Sequence, residues 1–135
     1  FRFLNFELLI MSVSIKKKII SKDEKIIDAS GQILGRLASR VAYDLMGKNT
    51  PSYKPHEFNP RPIRITHASG IRVSGQKQKQ KIYKRYTGYP SGLKQRTFEE
   101  QKTLNSKIII RDAIWGMLPK NRSRKQYMKY LTISD

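Results

Sequence analysis

Residues 25–47 read Lys-Ile-Ile-Asp-Ala-Ser-Gly-Gln-Ile-Leu-Gly-Arg-Leu-Ala-Ser-Arg-Val-Ala-Tyr-Asp-Leu-Met-Gly, and the order of residue types in them decides the fold class. Ile26 and Ile27 make a short apolar strand that stops at Asp28-Ala29-Ser30-Gly31, residues suited to turns and helix N-caps. Leu34, Leu37, Ala38, Val41 and Leu45 then recur at the i, i+3, i+4, i+7, i+11 spacing that lays one apolar stripe along a helix. Gly47 stands where such a helix ends in the left-handed conformation.

Working outward, four prolines between Thr50 and Pro62 can neither donate to a β ladder nor sit inside a helix, which predicts an irregular connector. Ile63-Arg64-Ile65-Thr66 and Ile71-Arg72-Val73-Ser74 alternate apolar and polar residues, which predicts two strands, the second closed by Gly75. Residues 76–96 are basic and Tyr-rich, and Gly88, Pro90 and Gly92 mark them as an irregular loop. Thr97-Phe98-Glu99-Glu100 has the capping-box form, in which the Thr97 hydroxyl and the Glu100 carboxylate each accept a free backbone N–H, so a helix is predicted there. Another follows Asn105-Ser106, with Ile110, Ala113, Ile114, Met117 and Leu118 on its apolar stripe and Pro119 at its end. Residues 1–24 read as an N-terminal arm, leaving 25–135 as a single domain. Strand, helix, strands and helices in that order make a mixed α/β domain with a small sheet.

The 135-residue chain carries 28 Lys and Arg against 10 Asp and Glu, a formal net charge of +18. Such a charge pushes a compact domain apart unless a polyanion neutralises it, which points first to nucleic acid and second to an anionic membrane surface. With no cysteine, disulfides, thiolate zinc sites and cysteine nucleophiles are excluded. No apolar run approaches the roughly 20 residues that span a bilayer. Phe1 to Met11 comes nearest, but Arg2, Asn5 and Glu7 break it, and Lys16, Lys17 and Lys18 follow it where a secretory signal would place positive charge in front. Met11-Ser12 reads as a start, which makes Phe1 to Ile10 an upstream extension, the remnant of a leader or a tail.

The charge is placed rather than spread. Between Glu57 and Glu99 there is no acid, whereas Arg61, Arg64, Arg72, Lys77, Lys79, Lys81, Lys84, Arg85, Lys94 and Arg96 are all positive. A run of mixed sign would read as a solvated face. Here the sign is single and Tyr83, Tyr86 and Tyr89 are interleaved, offering flat faces to bases while Lys and Arg supply phosphate contacts. A second basic cluster, Lys120, Arg122, Arg124, Lys125 and Lys129, follows Pro119.

No catalytic constellation emerges. Gly31-Gln32-Ile33-Leu34-Gly35 lacks the three-glycine spacing of a dinucleotide loop, and Gly47-Lys48 lacks the earlier glycine of a phosphate loop, since position 42 is Ala42. Ser30 and Gly31, ahead of a helix, remain candidates for a backbone phosphate contact. His56 and His67 are too few for a metal site without well-spaced carboxylates, and Glu99 and Glu100 serve capping better than acid–base chemistry. Trp115 flanks the apolar stripe and reads as helix-face packing. An enzyme is therefore disfavoured, with no cofactor, metal or small-molecule substrate expected.

Several blocks occur together in one order: Ile27-Asp28-Ala29-Ser30-Gly31, Leu34-Gly35-Arg36-Leu37-Ala38, Gly47-Lys48 with Pro51, Tyr53 and Pro55-His56, Val73-Ser74-Gly75-Gln76-Lys77, Tyr86-Thr87-Gly88-Tyr89-Pro90 and Gly116-Met117-Leu118-Pro119-Lys120-Asn121. Over residues 25–131 they resemble the large ribosomal subunit protein thirteen family. The resemblance implies a three-layer α/β/α domain around a small, mainly parallel four-stranded sheet. It also implies binding to large-subunit ribosomal RNA as an early assembly protein, neighbouring large-subunit proteins as partners, and no catalysis. It carries the family's Thr-Gly-Tyr-Pro segment onto Thr87 to Pro90 and its post-helix basic segment onto Lys120 to Lys125. Composition and resemblance together nominate Lys77, Lys79, Lys81, Lys84, Arg85, Tyr86, Thr87, Gly88, Lys94, Arg96, Lys120, Arg122, Arg124 and Lys125 as RNA-binding residues.

The chain also departs from that family. Phe58, Asn59, Pro60 and Arg61 stand where the family usually has Asp-x-Gly-Asp, Tyr86 replaces a His, and Arg124 replaces a frequent Gly. Arg124 looks similar to mitochondrial members, and with a chain beginning at Phe1 this favours a mitochondrial ribosome over a bacterial or plastid one. Competing readings are an extra-ribosomal regulator binding messenger RNA and a basic peripheral membrane module, which would need an amphipathic basic helix.

Overall fold

The computed structural model describes residues 24–135; apart from Glu24, the expected arm lies outside them. In chain order the elements are β1 (Lys25–Asp28), α1 (Leu34–Leu45), β2 (Ile63–Thr66), a 3-10 turn Ala68–Gly70, α2 (Lys77–Gln80), β3 (Ile82–Tyr86), β4 (Leu93–Thr97), α3 (Phe98–Met117), α4 (Arg124–Tyr127), a 3-10 turn Met128–Tyr130 and β5 (Leu131–Ile133). This is the expected mixed α/β domain.

Its main sheet is parallel, in the order β1-β2-β5, with Ile27 beside Ile65 and Ile65 beside Ile133. The four-stranded sheet implied by the resemblance is here three strands. Ile71-Arg72-Val73-Ser74, the expected further strand, makes a single parallel bridge from Arg72 to Ile33. That pairing cannot lengthen because Leu34 already begins α1. The third strand, β5, was not foreseen, since three residues carry too little alternation to be read.

Both crossovers advance across the sheet in the same direction, and right-handed connections then place α1 and α3 on the same face. There the two helices pack against each other. Ile27, Ile63 and Ile65 point into this layer and are buried, whereas Ile26 on the opposite side is 66% exposed. Among the described residues α1 and α3 thus form one helical layer against the sheet.

The α1 stripe behaves as its spacing requires: Leu34, Leu37, Ala38, Val41 and Leu45 are all buried. Each large member contributes about 1.5–3 kcal/mol by leaving water. The α3 stripe slips slightly, with Ile109, Ile110, Ile114 and Leu118 buried and Met117 nearly half exposed. The two helices expected on either side of Asn105 are present as the two segments of α3, parted by a kink where Asn105 adopts the non-helical φ −164° and ψ 98°. Its side chain accepts the Ile108 N–H at 3.3 Å, capping the second half. The Thr97–Glu100 capping box is present, with bonds of 3.0 and 3.3 Å.

The Pro-rich connector is irregular, as expected, and it is anchored by the residues that depart from the family pattern. The Phe58 ring lies 4.7 Å from that of Tyr127 and 6.2 Å from that of Tyr130. The Arg61 N–H reaches the Leu45 carbonyl at 3.4 Å.

Candidate nucleic-acid interface

Residues 82–97 form an antiparallel hairpin, β3 with β4, where an irregular loop was expected. Periodicity failed there because both faces are largely exposed, so no apolar side marks the alternation. The irregularity is confined to the tip. Thr87 donates to the Gly92 carbonyl through its N–H at 3.1 Å and its hydroxyl at 3.2 Å, and Gly88 adopts φ 90°.

Register sorts the side chains. Tyr83 lies opposite Arg96 and Arg85 opposite Lys94, which puts three cations and a tyrosine on one face. Lys84 opposite Gln95 and Tyr86 opposite Leu93 belong to the other. Like charges directly across a ladder destabilise an isolated hairpin. The cationic face overlooks a cleft lined also by Gln101, Ile108 and Asp112 of α3. Partial burial, and then the Asp112 carboxylate, raise the Tyr83 phenol above its ordinary value. The Lys81 ammonium sits 5.2 Å over the Tyr83 ring, while Lys77 and Lys79 project from α2. Tyr86 is 64% exposed.

The second cluster lies beyond the other end of α3. Asn121 ties the turn together, its backbone and side-chain oxygens accepting the Arg124 N–H at 3.2 and 3.1 Å. Arg124 lays its guanidinium 4.3 Å over the Trp115 ring and donates to the Trp115 carbonyl. Its buried Nε has no partner among the described residues. Trp115, Lys120, Asn121, Arg122, Arg124 and Lys125 line one cleft, which shares no residue with the hairpin cleft. The nominated residues thus form two groups joined by α3.

The ion pairs among the described residues are Lys25–Asp44, Lys54–Glu57, Arg64–Glu24 and Lys107–Asp135, and the His56 and His67 rings lie beside Glu57 and Asp28. None involves a nominated cation. The pairs that form lie outside both clusters, whose cations are left to an external anion.

Two other outcomes differ from the sequence reading. The Ser30 N–H is held by the Asp28 carboxylate at 2.9 Å and the Gly31 N–H by the Gly70 carbonyl at 3.0 Å, so neither is free for a phosphate. Sequence reasoning also passed over the outer face of α1, where Arg36, Ser39, Arg40 and Tyr43 follow one another at helical spacing. The signal was available: the polar side of that helix carries arginines, and its one acid, Asp44, is buried against Lys25 at 2.6 Å.

The model of the family described as Ribosomal protein L13 matches residues 22–134. The chain belongs to the ribosomal protein L13 family. The large ribosomal subunit protein uL13 of Petrotoga mobilis is 39% identical over 130 residues, covering 96% of this chain and 86% of that protein. Those of Caldanaerobacter subterraneus and Synechocystis are each 42% identical, covering 80% and 88% of this chain and 76% and 81% of theirs. The ribosomal protein L13 family is a structural, non-enzymatic one. These relatives are bacterial and lend no support to the mitochondrial preference. Arg124, which prompted it, has a local role here in packing on Trp115.

Proposed function

We propose that this member of the L13 family is a structural constituent of the large ribosomal subunit that binds large-subunit ribosomal RNA and supports subunit assembly. The observation that carries the reading is the hairpin face on which Arg85 and Lys94 stand directly opposite each other with no acid paired to either among the described residues. An arrangement unfavourable in the free protein becomes favourable when phosphates lie against it and release their counterions. The packed α1–α3 layer gives the two basic groups fixed positions, so RNA segments bound to each are held in one relative arrangement. Phosphate contacts supply most of the affinity, and Tyr86, with the Thr87–Gly88 turn, adds shape and stacking.

The hairpin also weighs against the membrane alternative, since that reading called for a basic amphipathic helix where β3 and β4 stand. The test is sedimentation of native lysate at rising salt. The chain is expected to comigrate with the large subunit and to resist release; a pool that is mainly free or membrane-associated at low salt would refute the proposal and favour the messenger RNA or membrane reading.

A further inference from the structure

We propose that the cleft at the end of α3 is a pocket for one unpaired nucleotide of RNA, its base stacked on the Trp115–Arg124 unit and its phosphate held by Lys120, Arg122 and Lys125. The inference rests on the RNA-binding reading and goes beyond it in naming what enters this cleft. A site for phosphate alone needs only cations. This one is built around an aromatic ring that remains 37% exposed although it belongs to a helix whose neighbouring Ile114 is fully buried.

Arg124 is held in a way that a mobile surface arginine is not. Its main-chain N–H is fixed by Asn121, its guanidinium lies 4.3 Å over the ring, and its terminal N–H is committed to the Trp115 carbonyl. The flat cation covers one face of the indole and offers its own outer plane, and guanidinium planes and aromatic rings are the surfaces on which unstacked bases settle. Lys120, Arg122 and Lys125 surround the stack, and no acid lines the cleft. A paired base cannot reach such a surface because its faces are occupied within the duplex, so the pocket selects a nucleotide that is extruded or single-stranded.

Trp115 is the single tryptophan of the chain, so its emission reports on this cleft and nowhere else. The full chain is titrated with a short single-stranded RNA, with the same sequence paired into a blunt duplex, and with inorganic polyphosphate, while binding is followed separately by anisotropy of labelled RNA. The single strand is expected to quench the Trp115 emission at saturation, because a base stacks against the Trp115–Arg124 unit. Duplex and polyphosphate bind at low salt and leave the emission nearly unchanged. Arg124→Lys keeps the charge but loses the plane, so the quench disappears and single-strand affinity falls about tenfold. Lys120→Ala, outside the stack, weakens single strand and polyphosphate alike and retains the quench. Single-strand binding with unchanged emission, equal quenching by polyphosphate, or an Arg124→Lys variant indistinguishable from the parent overturns the pocket while leaving RNA binding intact. Failure of every RNA form to bind overturns both.

Discussion

Gly35 and Gly47 lie near the two ends of α1 and respond oppositely to a methyl group. Gly47 adopts φ 74°, and a Cβ there would come within 2.8 Å of the Asn59 carbonyl oxygen. Gly47→Ala is expected to cost about 1–3 kcal/mol, read as a lower urea midpoint. Gly35 has open space and helical backbone, so Gly35→Ala should stabilise the free protein by about 0.5–1 kcal/mol in the same assay. Titration is also argued at this scale. The Ser30 N–H, and secondarily His67, hold the Asp28 carboxyl below its ordinary 3.8, and Lys107 does the same to Asp135. A depressed carboxylate contributes stability above its unfolded value and loses it as pH falls through the lowered one. Urea midpoints should therefore hold across the neutral range and decline below about pH 4, with Asp28→Asn flattening the acid limb. Much was legible residue by residue: the left-handed Gly47 and the Thr97 cap follow from local backbone chemistry. The seat of Arg124 on Trp115 was not, because nine positions separate them and only the turn at Asn121 folds one back over the other.

Among the elements, the β3–β4 hairpin carries the sharpest expectation. Removing one of two cations that face each other relieves repulsion, so Arg85→Ala should raise the stability of the free domain by about 0.3 kcal/mol. The same change should lower the slope of log affinity against log salt for RNA by about 1. A variant that lost stability and left the slope unchanged would remove Arg85 from the interface. The hairpin was hidden from the sequence because strands exposed on both faces need no alternation. By contrast α1, buried along one stripe, declared itself through its spacing. The break at Asn105 is legible in the sequence, whereas the packing of both segments of α3 on one core is not, because it depends on the angle between them.

For the molecule as a whole, a net charge of +18 is a standing source of self-repulsion. Screening it should raise the Tm of the free protein as monovalent salt increases from low to physiological ionic strength, the opposite of what salt does to its RNA affinity. Calorimetry showing no salt dependence would mean the internal ion pairs already offset the excess. The sequence by itself determined the α/β class, the α1 core stripe, the caps and the surplus of cations, because each depends on residue type and short spacing. Only the tertiary structure decided that α1 and α3 share one sheet face, that Arg85 and Lys94 meet across a ladder, and that Arg124 covers Trp115. Those arrangements depend on strand order, register and turn geometry, which join residues that are distant along the chain.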